Sequence, residues 1–77
     1  MDDVELYIGK MVRFHRRKAK LTQERLSFMA GVGKTVVFDI EKGKRTVKLS
    51  TLLAILHVLN IEMRFIGPLM HRFEESL

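Results

Sequence analysis

The chain is 77 residues long, with no cysteine, 14 Lys and Arg against 9 Asp and Glu, a formal charge of +5 and 47% hydrophobic residues. That length holds one small domain with a modest core; the apolar content excludes disorder, and the lack of cysteine excludes disulfide staples and thiolate metal sites. No apolar run approaches the roughly 20 residues that cross a bilayer, and the acidic start MDDVELYIGK lacks a signal pattern, so a cytoplasmic protein is expected.

In chain order, residues 4 to 19 place Ile8, Met11, Val12, His15 and Ala19 three or four apart. That spacing predicts one buried face of a helix, with Arg13, Arg17 and Lys20 opposite and Phe14 off the stripe. Thr22 is placed to cap a second helix, Glu24 suits its positive end, and Leu26, Met29 and Ala30 supply its buried side. Ser27 is small enough to admit a close neighbour. Gly31 suits the left-handed position that ends a helix. A third helix is expected from Gly33 or the turn before it, with Val37 and Ile40 inward and Gly43 as its stop. Val36 and Val37 are β-branched and weaken its intrinsic propensity, so packing must hold it.

After the loop at residues 44–48, Ser50 is expected to cap a fourth helix running through Leu59. Leu52, Leu53, Ile55, Leu56 and Leu59 make that helix apolar nearly all round, which predicts burial on two sides. Asn60 can stop it. Residues 61–66 then alternate apolar and polar with period 2, a strand signature. No other segment reads as a strand, so pairing with the same strand of a second copy is expected. Gly67-Pro68 breaks the pattern, and residues 69–77 read as a frayed tail. The segment 1–68 is thus one domain, followed by that tail.

Two basic clusters stand out: Lys10, Arg13, Arg16, Arg17, Lys18 and Lys20, and Lys42, Lys44, Arg45 and Lys48. They favour a polyanion partner, although solvated helix faces produce such clusters as well. Catalysis is not expected. His15, His57 and His71 fall on separate elements, and no Ser-His-Asp, paired-carboxylate, metal-ligand or phosphate-loop pattern is present. Neither a catalytic residue, a metal site nor a cofactor is assigned.

The segment Leu21 to Gly43, two short helices about the turn Gly31-Val32-Gly33, has the layout of a helix-turn-helix. Ile8-Gly9, Val12-Arg13, Arg16, Leu21-Thr22-Gln23, Leu26, Ala30-Gly31-Val32, Ile40-Glu41 and Gly43 together resemble the Xre/Cro-like (phage repressor-like) family, over about residues 8 to 59. The ending LSTLLAILHVLNIEMRF resembles HipB-type antitoxins more closely still.

That resemblance implies an all-α lambda-repressor-like domain of four to five helices, with a C-terminal strand pairing across a homodimer. It also implies a repressor of its own operon, a palindromic DNA operator, a HipA-type kinase toxin as partner, and residence at the bacterial nucleoid when bound. Carried onto this chain, Gln23, Lys44 and Arg45 would contact the DNA backbone, and Lys34, Thr35, Phe38 and Asp39 would face outward from the third helix. Lys34 would reach guanine, Asp39 would accept from cytosine N4, and Thr35 or Phe38 would pack on a thymine methyl. Arg16 and Glu41 match a structural ion pair expected to be partly buried. Leu56, Leu59, Ile61, Met63 and Phe65 would hold the dimer.

The chain departs from the family at four positions. Gly33 stands where Ser is usual, removing a side-chain cap; Val36 and Phe38 replace small polar residues; and Asp39 replaces a cation or amide. Two other readings therefore stand beside the antitoxin: a stand-alone Xre-family regulator, and a protein-interaction module that has lost DNA binding.

Overall fold

A computed structural model describes residues 3–77 and carries five helices: α1 (Val4–Lys18), α2 (Gln23–Met29), α3 (Val36–Glu41), α4 (Leu49–Val58) and α5 (Met70–Glu75). Asp3 caps α1 by accepting from the Leu6 N–H at 3.0 Å, and Thr22 caps α2 by accepting from the Arg25 N–H at 3.0 Å. Each satisfies one of the donors that a helix start leaves without an internal partner.

The first four helices end by one device. Lys20, Gly31, Gly43 and Asn60 adopt left-handed backbone with φ of 59°, 70°, 86° and 59°. The N–H of the following residue then returns to the last helical turn: Leu21 to the Arg16 carbonyl, Val32 to Ser27, Lys44 to Asp39 and Ile61 to Leu56, at 2.9–3.1 Å. These are Schellman closures. Gly31, Gly43 and Asn60 carry sequence types that tolerate this geometry. Lys20 does not, and holds it against a cost of about 1 kcal/mol.

The core consists of Val12, Leu26, Val37, Ile40, Ile55 and Leu56, with Ile8, Met11, Leu21, Ala30, Val32 and Leu52 packed partly against it. Each fully buried aliphatic side chain stabilises by about 1.5–3 kcal/mol, so few are available and helix contacts must be close. α1 meets α3 at Gly9. A Cβ there would stand 2.5 Å from the Ile40 carbonyl oxygen and 2.9 Å from that of Glu41.

Four expectations are corrected. α3 begins at Val36, not near Gly33, because Gly33–Thr35 are consumed by the turn. α4 begins at Leu49, so Ser50 lies inside the helix and Lys48 occupies the cap position without a side-chain cap. Residues 69–77 hold α5, though it buries no residue. No strand occurs among the described residues, and residues 62–66 exchange no backbone–backbone hydrogen bond. A ladder needs a second strand, and nothing else in the described chain supplies one.

Gly9→Ala should lower stability by about 2 kcal/mol or more, within the range for overpacking a core. The backbone carbonyls it meets belong to α3 and cannot swing aside. Urea unfolding followed by circular dichroism reads the loss.

Candidate nucleic-acid interface

Three helices converge on one carboxylate. Glu41, in the last turn of α3, accepts from Arg16 Nε at 2.6 Å and Arg16 Nη2 at 3.1 Å, and from Gln23 Nε2 at 3.0 Å. Arg16 also donates Nη1 to the Leu21 carbonyl at 2.8 Å. The Arg16 and Glu41 side chains are 13% and 5% exposed. Arg16 therefore ties the end of α1 to the end of α3, and Gln23 ties the start of α2 to the same point. A planar guanidinium and a carboxylate meeting in this bidentate way fix orientation as well as distance.

The start of α3 is held differently. Its N-cap Thr35 makes no side-chain cap bond. Instead Ser27, fully buried in α2, accepts from the Val37 N–H at 3.2 Å through Oγ. The cap lost at Gly33 is thus supplied from the neighbouring helix. A polar residue inside the apolar face of α2 was the available signal, and only tertiary contact gives it this role.

With Val37 and Ile40 inward, α3 turns Phe38, Asp39 and Lys42 outward, and Thr35 is exposed just before it. The Lys42 ammonium lies 5.1 Å from the Phe38 ring centroid, a cation–π arrangement. Lys42 was not among the site residues read from the sequence. Its i+4 spacing from Phe38 could have placed it there.

Residues 12–66 match the Helix-turn-helix family. The chain belongs to that family. Among its relatives, an HTH-type transcriptional regulator, y4mF, of Sinorhizobium fredii is 34% identical over 61 residues, covering 79% of this chain and 80% of that protein. Control protein C.SmaI of Serratia marcescens is 33% identical over 58 residues, covering 75% of this chain and 69% of its own length.

Within the helix-turn-helix, α2 and α3 are the paired helices, and α3 is the one expected from the sequence to face DNA. The expected site residues are distributed unevenly around it. Thr35, Phe38 and Asp39 share its outer side, while Lys34 lies in the preceding turn. Gln23 is half-buried, with one amide N–H committed to Glu41, so the second N–H of that amide and the backbone N–H groups at the start of α2 remain for a phosphate. Each cation among the expected site residues is paired in the free chain: Lys34, expected at a guanine, with Glu24 at 3.6 Å, and Lys44 and Arg45, expected at the DNA backbone, with Asp39 at 3.7 Å and Asp3 at 3.9 Å. Such exposed pairs contribute about 0–1 kcal/mol, so a phosphate can displace the carboxylate at small cost. Lys44 and Asp39, together with Thr46, Lys48 and Thr51, line a groove between α3 and the start of α4.

The α1 cations are placed elsewhere. Lys10, Arg13, Arg17 and Lys18 surround the exposed Phe14 on the side of α1 opposite Val12. α1 packs on α3 through its inner face, so this cluster faces away from α3. Among the described residues, no group of three or more His, Asp or Glu side chains converges as metal ligands would, and no helix is long and apolar enough to cross a membrane.

Ser27→Ala should cost about 1–2 kcal/mol, the usual worth of a lost helix cap. Glu41→Ala should cost about 3 kcal/mol, because it strands the Arg16 charge in a buried site. Thermal unfolding of both variants, compared with an exposed control such as Glu75→Ala, checks the order.

Proposed function

We propose that the chain is a sequence-specific DNA-binding transcription regulator that acts as a homodimer. The outer side of α3 carries the reading: Thr35, Phe38, Asp39 and Lys42 project from a helix whose two ends are anchored separately, by Ser27 and by Glu41. A helix held at both ends can enter a major groove without reorganising. In this reading Lys44, Arg45 and Lys48 meet phosphates, joined by Lys34, which lies in the turn before α3 and so is assigned to a phosphate in place of the guanine expected from the sequence; phosphate contacts set register while base contacts set sequence. Asp39 accepts from an amino-bearing base, and Phe38 packs on a thymine methyl. The relatives named as an HTH-type transcriptional regulator and a control protein support the regulatory role.

Two such helices would sit about one turn of duplex apart on a roughly palindromic operator. What supports the dimer is the sequence: residues 61–66 alternate with period 2, and a strand of that pattern would need a partner that a second copy can supply. The finer reading is the antitoxin of a HipB/HipA-like pair that represses its own operon, with a kinase toxin on a surface away from α3. The ending LSTLLAILHVLNIEMRF supports it.

A gel shift on DNA upstream of the chain's own gene tests the regulator. Specific binding is expected, and no shift at any salt would leave the interaction-module reading in its place. Lys44→Ala and Arg45→Ala should each weaken binding to all sequences and reduce the log–log salt slope by about 0.9. Asp39→Asn should change which base is preferred at one position per half-site, with little effect on that slope. Co-purification with a kinase encoded by the adjacent gene separates the antitoxin from the stand-alone regulator.

A further inference from the structure

One apolar surface is left uncovered by the folded chain. A groove between α1 and α4 is lined by Val4, Tyr7, Met11, Leu52, Leu56 and Ile61. Val4 and Tyr7 are 54% and 55% exposed. The segment after Ile61 forms one edge of the groove and then leaves it. Phe65, two residues beyond Met63, does not line the groove and is 73% exposed. A phenylalanine in water and an open apolar groove therefore lie on one short stretch of chain.

The same stretch carries a register. Arg64 Nε donates to Glu62 at 3.2 Å, so side chains two apart meet on one side, as they do on extended backbone. In a fully extended strand Ile61, Met63 and Phe65 would share the other side. If two copies pair this segment antiparallel about a two-fold axis, only a few centres are open. A centre at residue 62 sets Glu62 against Glu62, and one at residue 64 sets Arg64 against Arg64; like charges directly opposite are destabilising. A centre between residues sets apolar against charged side chains on one face. A centre at Met63 sets Glu62 opposite Arg64 and Phe65 opposite Ile61, with both faces matched.

We propose that Phe65 docks in the α1–α4 groove of a second copy, against Val4 and Tyr7. With Met63 on the axis, Phe65 stands about 5 Å, Cβ to Cβ, from the partner's Ile61, and Ile61 is a wall of the groove. The docking is reciprocal, so each copy supplies one ring and one groove, as an isologous two-fold contact requires. This rests on the homodimer reading above and adds to it that the first helix, not only the C-terminal segment and α4, builds the interface.

The chain has no cysteine, so introduced thiols report cleanly. Chains carrying Tyr7→Cys are mixed with chains carrying Phe65→Cys and treated with a short bismaleimide; Met63→Cys alone serves as the axis control. A mixed covalent dimer is expected, together with a Met63→Cys dimer. Tyr7→Ala and Phe65→Ala should each raise the dimer dissociation constant at least tenfold by sedimentation equilibrium, with helical circular dichroism unchanged. Their double variant should add little, because both remove one contact. A Met63→Cys dimer without the mixed product would overturn the docking and leave the homodimer standing. A chain carrying both thiols that closes on itself at high dilution would show the ring folding into its own groove, which also overturns it. A monomer with neither product would sink this proposal and the homodimer together.

Discussion

Glu41 is the point through which the positions of three helices are linked. Its carboxylate holds Arg16 from α1 and Gln23 from α2 while belonging to α3. A buried ion pair of this kind adds little net stability, because desolvation offsets the attraction. Its effect is on geometry: the bidentate guanidinium permits one relative placement of α1 and α3, and the Gln23 amide brings the start of α2 to the same place. The close approach at Gly9 is the apolar counterpart on the same pair of helices. Together they let a six-residue helix with two adjacent valines hold its shape, although its intrinsic propensity is poor.

The rigid start of α3 has a second source. Ser27 closes the gap left by Gly33, and it does so from inside the core, where a lone hydroxyl is costly unless bonded. The anchoring of α3 is thus divided between a buried neutral cap at one end and a buried ionic clamp at the other. The outer side is free to vary. Phe38, Asp39 and Lys42 make it more apolar and less uniformly positive than the charge of the whole chain suggests, and the nearby cations are held by carboxylates of the chain itself. The α1 cations Lys10, Arg13, Arg17 and Lys18 sit behind it. Net charge brings a polyanion near; it does not say which face meets it.

Beyond α4 the chain changes character. α1 to α4 close through caps and a shared core, whereas residues 62–66 leave their backbone groups without backbone partners and α5 buries nothing. Leu49 and Leu53 on α4 remain 60% and 42% exposed. The two-sided burial read from α4 is therefore only half achieved within one chain. Leu56, expected at the dimer contact, is 4% exposed and spent in the core. Leu59 and Ile61 are half-buried, and Met63 and Phe65 lie outside.

The sequence by itself determined the helix-turn-helix, because its signals are local. Thr22 as a cap, Gly31, Gly43 and Asn60 as stops, and Leu26, Val37 and Ile40 as inward residues each depend on spacing within a turn or two of backbone. The pairing of Arg16 with Glu41 was legible only through the family resemblance, since 25 residues separate them. Tertiary structure alone decided the rest. It turned Gln23 inward to Glu41, gave Ser27 the capping role, started α3 at Val36, added Lys42 to the outer side and placed the α1 cations away from it. Those outcomes depend on which helix faces which, and a one-dimensional pattern does not contain that. The period-2 run at 61–66 marks the boundary between the two. Alternation is a property of the sequence, but a strand is a pair, and its hydrogen bonds need a partner that the described chain does not provide.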